Sequence, residues 1–307
     1  MADRAERDNL SALVTVTRGD NLVFERTYGN FDRTQPIRIA SASKWLTAAL
    51  LMTFVDEGAL SLDEPLVTKL PAFDGEHATI TLRMLLSHTS GIGQNSCIWD
   101  DNSTLAACTE SIATDRLIDA PGTRFHYGNT SFQVAGHLAE VVGGHPFRDL
   151  FRTRIAEPLG LVATRFDHGT PTDNPTPAAS GVSSADDYAR FLRMLLSDGT
   201  ADDGRRVLGA DAVAAMLTVQ TNGKENPTDS AVAITGVPRY GLGCWIDEID
   251  PNGMPVRVSG SGSYGGFPWI APTAQEYGLV WLEDEAHADG RAVQRSSALA
   301  SLAHAVP

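Results

Sequence analysis

The 307-residue chain reads as an α+β protein. Its fold class is an antiparallel sheet built from both chain termini and flanked by helices, with an inserted, mainly helical lobe. Three observations predict this. Residues 11–17 and 22–28 alternate, are rich in β-formers and flank the turn Arg18-Gly19-Asp20-Asn21, which is a hairpin signal. From about residue 70 to 165 apolar residues recur mainly at helical spacing. Residues 240–246, 254–259 and 277–282 then return to strand composition before a closing helix at 292–305. The expected organisation is a single domain over 1–307. An α/β lobe occupies approximately 1–70 and 180–307, and a helical lobe approximately 71–179.

The elements follow in order. Residues 41–58 form a helix that is apolar on nearly every face and is stopped by Gly58, so it is a buried helix. Residues 60–65 read as a loop. Thr81 caps a short helix over 81–86. The helix at 130–142 carries Phe132, Ala135, Leu138 and Val141 on one face, and Gly143-Gly144 ends it. An amphipathic helix is expected at 145–155 and a Pro/Thr-rich loop at 170–177. Ser183 to Asp187 resembles a capping box for a helix at 188–196. A further helix covers 210–217, and Phe267-Pro-Trp-Ile reads as a strand.

Bulk properties narrow the function. A hydrophobic fraction of 42% and a charged fraction of 20% are those of a soluble globular protein. The formal net charge of −14 repels nucleic acid and anionic membranes, so neither is an expected partner. No apolar run approaches the roughly 20 residues of a membrane span. The first ten residues are charged and lack a signal-peptide core. The protein is therefore read as cytoplasmic, or as exported if Cys97 and Cys108 form a disulfide. Those two cysteines bracket a short polar stretch. They are either a pair contributing roughly 3 kcal/mol or two unrelated buried thiols. Cys97, Cys108 and Cys244 fit no zinc spacing. No metal or cofactor is expected, and the expected partner is a small-molecule acyl substrate. Oligomeric state is not legible.

The chemistry begins at Ser41-Ala42-Ser43-Lys44. Positions i and i+3 of a helix share a face. A serine hydroxyl needs a base, and lysine serves only when burial or nearby positive charge lowers its pKa. The helix N-terminus also favours a developing oxyanion. The chain has three lysines, Lys44, Lys69 and Lys224, and otherwise uses arginine, which cannot shed its proton. A lysine inside an apolar helix is therefore informative. Tyr127-Gly128-Asn129, placed just before a helix, can present a phenol and an amide together. His88 at the end of a short helix is read as structural, capping backbone carbonyls. Gly260-x-Gly262-x-x-Gly265 matches a dinucleotide-binding pattern, but a strand rather than a helix follows it, which excludes that reading. No G-x-S-x-G elbow is present.

Taken together, these stretches resemble the serine β-lactamase and penicillin-binding-protein superfamily, in its class C β-lactamase, DD-peptidase and family VIII carboxylesterase branch. The matching residues are 38–44, Leu85-Leu-Ser-His-Thr-Ser-Gly91, Pro121-Gly-x-x-Phe-x-Tyr127-x-Asn129, Glu157-Pro-Leu-Gly-Leu161, 181–187 and Tyr240-Gly-Leu-Gly243. The resemblance implies Ser41 as nucleophile, Lys44 as adjacent base and Tyr127 as proton relay, in a cleft between a mixed lobe and a helical one. One departure stands out. The family's third motif is Lys or His, then Ser or Thr, then Gly, and Gly260 stands where its cation belongs. That argues against substrates carrying a carboxylate and toward small neutral esters. Asn129, Gly262 and Ser263 are the expected substrate contacts, with the Ser263 N–H completing an oxyanion hole beside that of Ser41. A β-lactamase or D-alanyl-D-alanine carboxypeptidase, an acyltransferase, and a non-catalytic acyl-binding or sensor protein remain alternatives.

Overall fold

The computed structural model describes residues 11–167, 172–284 and 290–304. The expectations for the first ten residues, for 170–171 of the Pro/Thr-rich stretch and for residue 305 lie outside these.

Nine strands form two sheets among the described residues. They are β1 (Ala12–Arg18), β2 (Asn21–Tyr28), β3 (Ile37–Arg38), β4 (Arg165–Phe166), β5 (Gly181–Ser183), β6 (Trp245–Ile249), β7 (Pro255–Ser259), β8 (Phe267–Ala271) and β9 (Glu276–Leu282). The helices are α1 (Ser43–Asp56), α2 (Leu82–Leu86), α3 (Leu105–Ile112), α4 (Thr130–Gly143), α5 (Phe147–Phe151), α6 (Glu157–Leu159), α7 (Ala185–Leu196), α8 (Ala210–Leu217), α9 (Ser230–Thr235) and α10 (Arg291–His304).

The main sheet is antiparallel in the order β2-β1-β9-β8-β7-β6. The N-terminal hairpin therefore pairs directly with the last strand, as the terminal strand signals predict. Gly19, at φ +55°, turns the hairpin. β9 is buried at all seven positions because both sheet faces are covered. Leu279 and Trp281 join the core around α1 and α7, while Val280 and Leu282 pack with Ala300 of α10. This is the period-2 alternation of a strand between two layers. At Gly278 an added Cβ would meet the Trp269 ring at 2.0 Å, so only glycine fits there.

α1 is buried along twelve of its fourteen residues. It is apolar all round because it runs through the core. Thr81 caps α2 by accepting from the Met84 N–H, and Ser184 caps α7 by accepting from that of Asp187. Gly144, at φ +69°, ends α4.

Several boundaries differ from expectation. Residues 240–244 are not strand: Gly243 takes φ +80°, and the strand begins at Trp245. The helix expected at 145–155 is α5, a π-helical turn at Arg152–Ala156 and α6 in succession. α7 starts three residues before the expected 188, because Ser184 rather than Ser183 is the cap. The sequence reading missed α3, α9 and the small sheet β3-β5-β4, whose two- and three-residue strands are too short to show a period. Cys97 and Cys108 are joined in a disulfide with Cα atoms 5.3 Å apart. No described helix is long and apolar enough to cross a membrane.

Candidate active site

Ser41 lies one turn before α1 proper, in a 3-10 turn at Ala40–Ala42, and not in the α-helix that was expected to begin with it. Ala40 sits at φ +44°, a left-handed conformation uncommon for a residue with a side chain. That kink converts the end of β3 into the helix entrance and leaves Ser41 partly exposed. The turn is pinned from behind: Ile39 N–H donates to Gly181 O at 3.0 Å, and Gly181 N–H donates to Ser43 Oγ at 3.0 Å. A Cβ at Gly181 would lie 2.5 Å from that oxygen. The Tyr188 hydroxyl donates to Ala42 O at 2.8 Å.

Lys44 occupies the first turn of α1 and is fully buried. Its Nζ is 3.0 Å from Ser41 Oγ, 2.8 Å from Asn129 Oδ1 and 3.3 Å from Ala178 O. No carboxylate pairs with it among the described residues. Burial without a counter-charge lowers its pKa to about 7. A neutral amine has two N–H bonds and one lone pair. The two carbonyl oxygens can only accept, so they take both N–H bonds and leave the lone pair facing the Ser41 hydroxyl.

Asn129 stands at the N-cap of α4, where asparagine normally caps the helix, yet its side chain makes no capping bond. Its oxygen is committed to Lys44 instead. Tyr127 is held by its backbone N–H, which donates to Asp229 Oδ2 at 3.0 Å. Its ring stacks on Trp245 at 5.1 Å and 25°, and Lys44 Nζ is 4.7 Å from the ring centroid. Burial pushes the phenol pKa up to about 12, partly opposed by a hydrogen bond with Ser41 and aided by the Asp229 charge. The phenol therefore keeps its proton at neutral pH.

The third-motif stretch follows β7. An added Cβ at Gly262 would lie 2.2 Å from Ile39 O and 3.5 Å from Ala42 N. The backbone at Gly262 is thus packed directly on the Ser41 turn, an approach only glycine allows. The next residue, Ser263, is partly exposed. At Gly260 a Cβ would lie 2.8 Å from Cε3 of the buried Trp45 ring. A side chain at Gly260, where the resemblance places the family's cation, would therefore meet the tryptophan ring. After Gly265 the chain enters β8, not a helix, as the exclusion of a dinucleotide site requires.

Other residues were not foreseen. His88, at φ +59°, does not cap carbonyls. Among the described residues neither ring nitrogen has a hydrogen-bond partner, and the ring centroid lies 4.6 Å from that of Tyr127, 4.9 Å from Tyr240 and 5.2 Å from Phe132. Burial, then the Lys44 charge, hold its pKa well below 6.5, so it stays neutral. Ala178 contributes its backbone carbonyl and Asp229 a carboxylate that accepts from the Tyr127 backbone N–H, contacts for which a single sequence gives no signal. A cleft of about 600 Å³ is lined by Asp56, Glu57, Arg154 and Arg206, among others, and contains none of the expected site residues. No group of three His, Cys, Asp or Glu suited to a metal occurs among the described residues.

Comparison with known proteins bears on this geometry. Penicillin-binding protein 4 of Amycolatopsis lactamdurans is 35% identical over 60% of this chain, which spans 56% of that protein's length. The D-alanyl-D-alanine-carboxypeptidase/endopeptidase AmpH of Escherichia coli is 25% identical over 79% of the chain and 71% of AmpH. Among solved structures, a candidate β-lactamase from Bacteroides dorei superposes with a TM-score of 0.83 at 31% identity, covering 92% of this chain and 88% of that one. A family VIII carboxylesterase superposes with a TM-score of 0.75 at 18% identity, covering 92% and 89%. The Beta-lactamase family profile matches residues 2–303, and the chain belongs to that family, as a serine hydrolase of the β-lactamase and penicillin-binding-protein superfamily.

Proposed function

We propose that the protein hydrolyses small neutral esters through an acyl-enzyme on Ser41, with neutral Lys44 as base and Tyr127 as proton relay. The observation that carries this reading is the setting of Lys44: fully buried, without a carboxylate, and hydrogen-bonded to two carbonyls with Ser41 Oγ at 3.0 Å. Lys44 takes the Ser41 proton as Oγ attacks the carbonyl. The N–H groups of Ser41 and Ser263 receive the oxyanion, and Tyr127 passes a proton to the leaving oxygen. Water, activated by the same amine, releases the acid. The Asn129 Nδ2, which donates to no partner among the described residues, orients the substrate. Tyr127 is the donor and Lys44 the acceptor because a phenol at about 12 is a poor base at neutral pH, whereas an amine at about 7 is a suitable one. In this reading the sheet-forming lobe supplies Ser41, Lys44 and Gly262, and the helical lobe supplies Tyr127 and Asn129.

The preference for neutral esters over β-lactams and D-alanyl peptides is supported by Trp45, which closes the Gly260 position to any cation. The test is a panel of p-nitrophenyl esters, nitrocefin and D-alanyl-D-alanine peptides on wild type and Ser41→Ala. Ester turnover that vanishes in Ser41→Ala supports the reading. Nitrocefin or peptide turnover matching that of esters overturns the ester preference, and full ester turnover in Ser41→Ala overturns the mechanism.

A further inference from the structure

The Ala178 carbonyl, one of the two acceptors of Lys44, belongs to a segment with no helix or strand to direct it. Residues 174–178 are buried, yet they run through bends and turns between β4 and β5. Buried backbone outside regular structure depends on side chains for its hydrogen bonds and its direction. Gln133 Nε2 donates to Asn174 Oδ1 at 2.6 Å and to Pro175 O at 3.2 Å. Asn174 Nδ2 donates to Cys97 O at 2.9 Å and to Asp100 O at 3.0 Å, in the loop that the Cys97–Cys108 disulfide closes. Thr176 Oγ1 donates to Ile98 O at 2.8 Å in the same loop. Thr47, one turn after Lys44 on α1, donates to Pro177 O at 2.7 Å.

Gln133 stands out among these. α4 presents Asn129, Gln133 and Gly136 at positions i, i+4 and i+7, a stripe down one face. Asn129 bonds Lys44 directly. At Gly136 an added Cβ would lie 2.5 Å from Cγ of Pro177, so the helix lies against the segment. The stripe therefore carries one Lys44 acceptor itself and seats the chain that carries the other. Gln133 is fully buried, and its Oε1 has no partner among the described residues. An unpaired buried acceptor is destabilising, and an apolar side chain beside Phe132 and Ala135 of the core would avoid it. What the amide provides and an apolar side chain cannot is the pair of Nε2 bonds to Asn174 and Pro175.

We propose that Gln133 and Asn174 are positioning residues for Lys44: together they aim the Ala178 carbonyl at Nζ and so turn the amine lone pair onto Ser41. The proposal rests on Lys44 acting as the base for Ser41 and adds two residues that touch none of the reacting atoms. The carbonyl contact, at 3.3 Å, is the longest of the three that Nζ makes, so a small displacement breaks it. With that acceptor lost, an N–H bond is free to turn toward Ser41, and the lone pair is no longer confined there. The titratable side chains facing Lys44 among the described residues are His88 and Tyr127. Both are neutral near pH 7, so an acid limb there reports the amine.

The test compares kcat, KM and the pH profile of p-nitrophenyl butyrate hydrolysis in wild type and Gln133→Met, which keeps the length of the side chain and removes both Nε2 bonds. On the alkaline plateau kcat is expected to fall by about 3- to 10-fold, the worth of one hydrogen bond, with KM unchanged. The acid limb is expected to move below pH 7, because the ammonium form loses an acceptor while it stays buried. Asn174→Ala breaks the same contact from its other end; it should give the same fall and the same shift, and it decides if Gln133→Met does not fold. A purely structural brace would lower the denaturation midpoint and leave the plateau and the limb where they are. An unchanged plateau kcat, a rise in KM in its place, or a limb that stays at pH 7 or rises overturns the positioning role alone. If wild type turns over no ester, or shows no limb near pH 7, the Lys44 reading falls and takes the positioning role with it.

Discussion

Replacing Lys44 tests the mechanism and the energetics together. A pKa lowered from 10.5 to about 7 corresponds to about 5 kcal/mol lost on burying this amine as a cation. Between pH 7 and 10.5 the folded protein binds fewer protons here than the unfolded chain, so stability rises with pH across that window. The burden is complete below pH 7, still about 4 kcal/mol at pH 7, and gone above 10.5. Lys44→Met removes it but leaves the Ala178 carbonyl without its donor, at a cost of about 1–3 kcal/mol. Lys44→Met should therefore be more stable than wild type by about 2 kcal/mol at pH 7, with the gain fading toward pH 10, while ester turnover falls by about 10³-fold or more. Lys44→Arg should be nearly as inactive, since guanidinium cannot accept the proton. Urea denaturation at pH 7 and pH 10 measures the first effect. A kcat/KM profile from pH 5 to 9 measures the second, and its wild-type acid limb should lie near pH 7. Lys44→Arg retaining more than about a tenth of wild-type activity, or a profile flat between pH 6 and 8, would refute the reasoning.

Three further outcomes follow from the same geometry. Asn129→Asp places a carboxylate where Oδ1 now lies 2.8 Å from Nζ, so the acid limb should move up by about one to three pH units; an unmoved limb means that Lys44 does not own it. Tyr127→Phe keeps the stacking on Trp245 but loses the phenol, and should lower kcat by about 10²–10⁴ while leaving the acid limb near pH 7. Gly260→Lys forces a Cβ against Trp45, so the denaturation midpoint should drop by the equivalent of about 1–3 kcal/mol, with no gain in succinyl-ester turnover.

The terminal strands and the buried helix were legible because their signals are local. β1 and β2 alternate around a glycine turn, and α1 is apolar on every face, a pattern that only a core position tolerates. The i,i+3 spacing brought Ser41 and Lys44 within reach of each other, although the exact start of the helix did not follow, since the left-handed Ala40 carries no composition signal. The capping residues Thr81 and Ser184 lay within their motifs, but which of Ser183 and Ser184 capped α7 was set by pairing of β5 with β3.

By itself the sequence singled out the residues proposed to carry the chemistry: a serine, a lysine among few, and a tyrosine–asparagine pair before a helix. Tertiary structure alone decided their state. In the proposed mechanism Lys44 can serve as the base because Asn129 and Ala178, distant in sequence by 85 and 134 positions, supply acceptors without charge to a fully buried amine. Trp45 decides in the same way that Gly260 can never be replaced by a cation without repacking. Desolvation and steric exclusion depend on everything that surrounds a residue, and a linear pattern records only its neighbours along the chain.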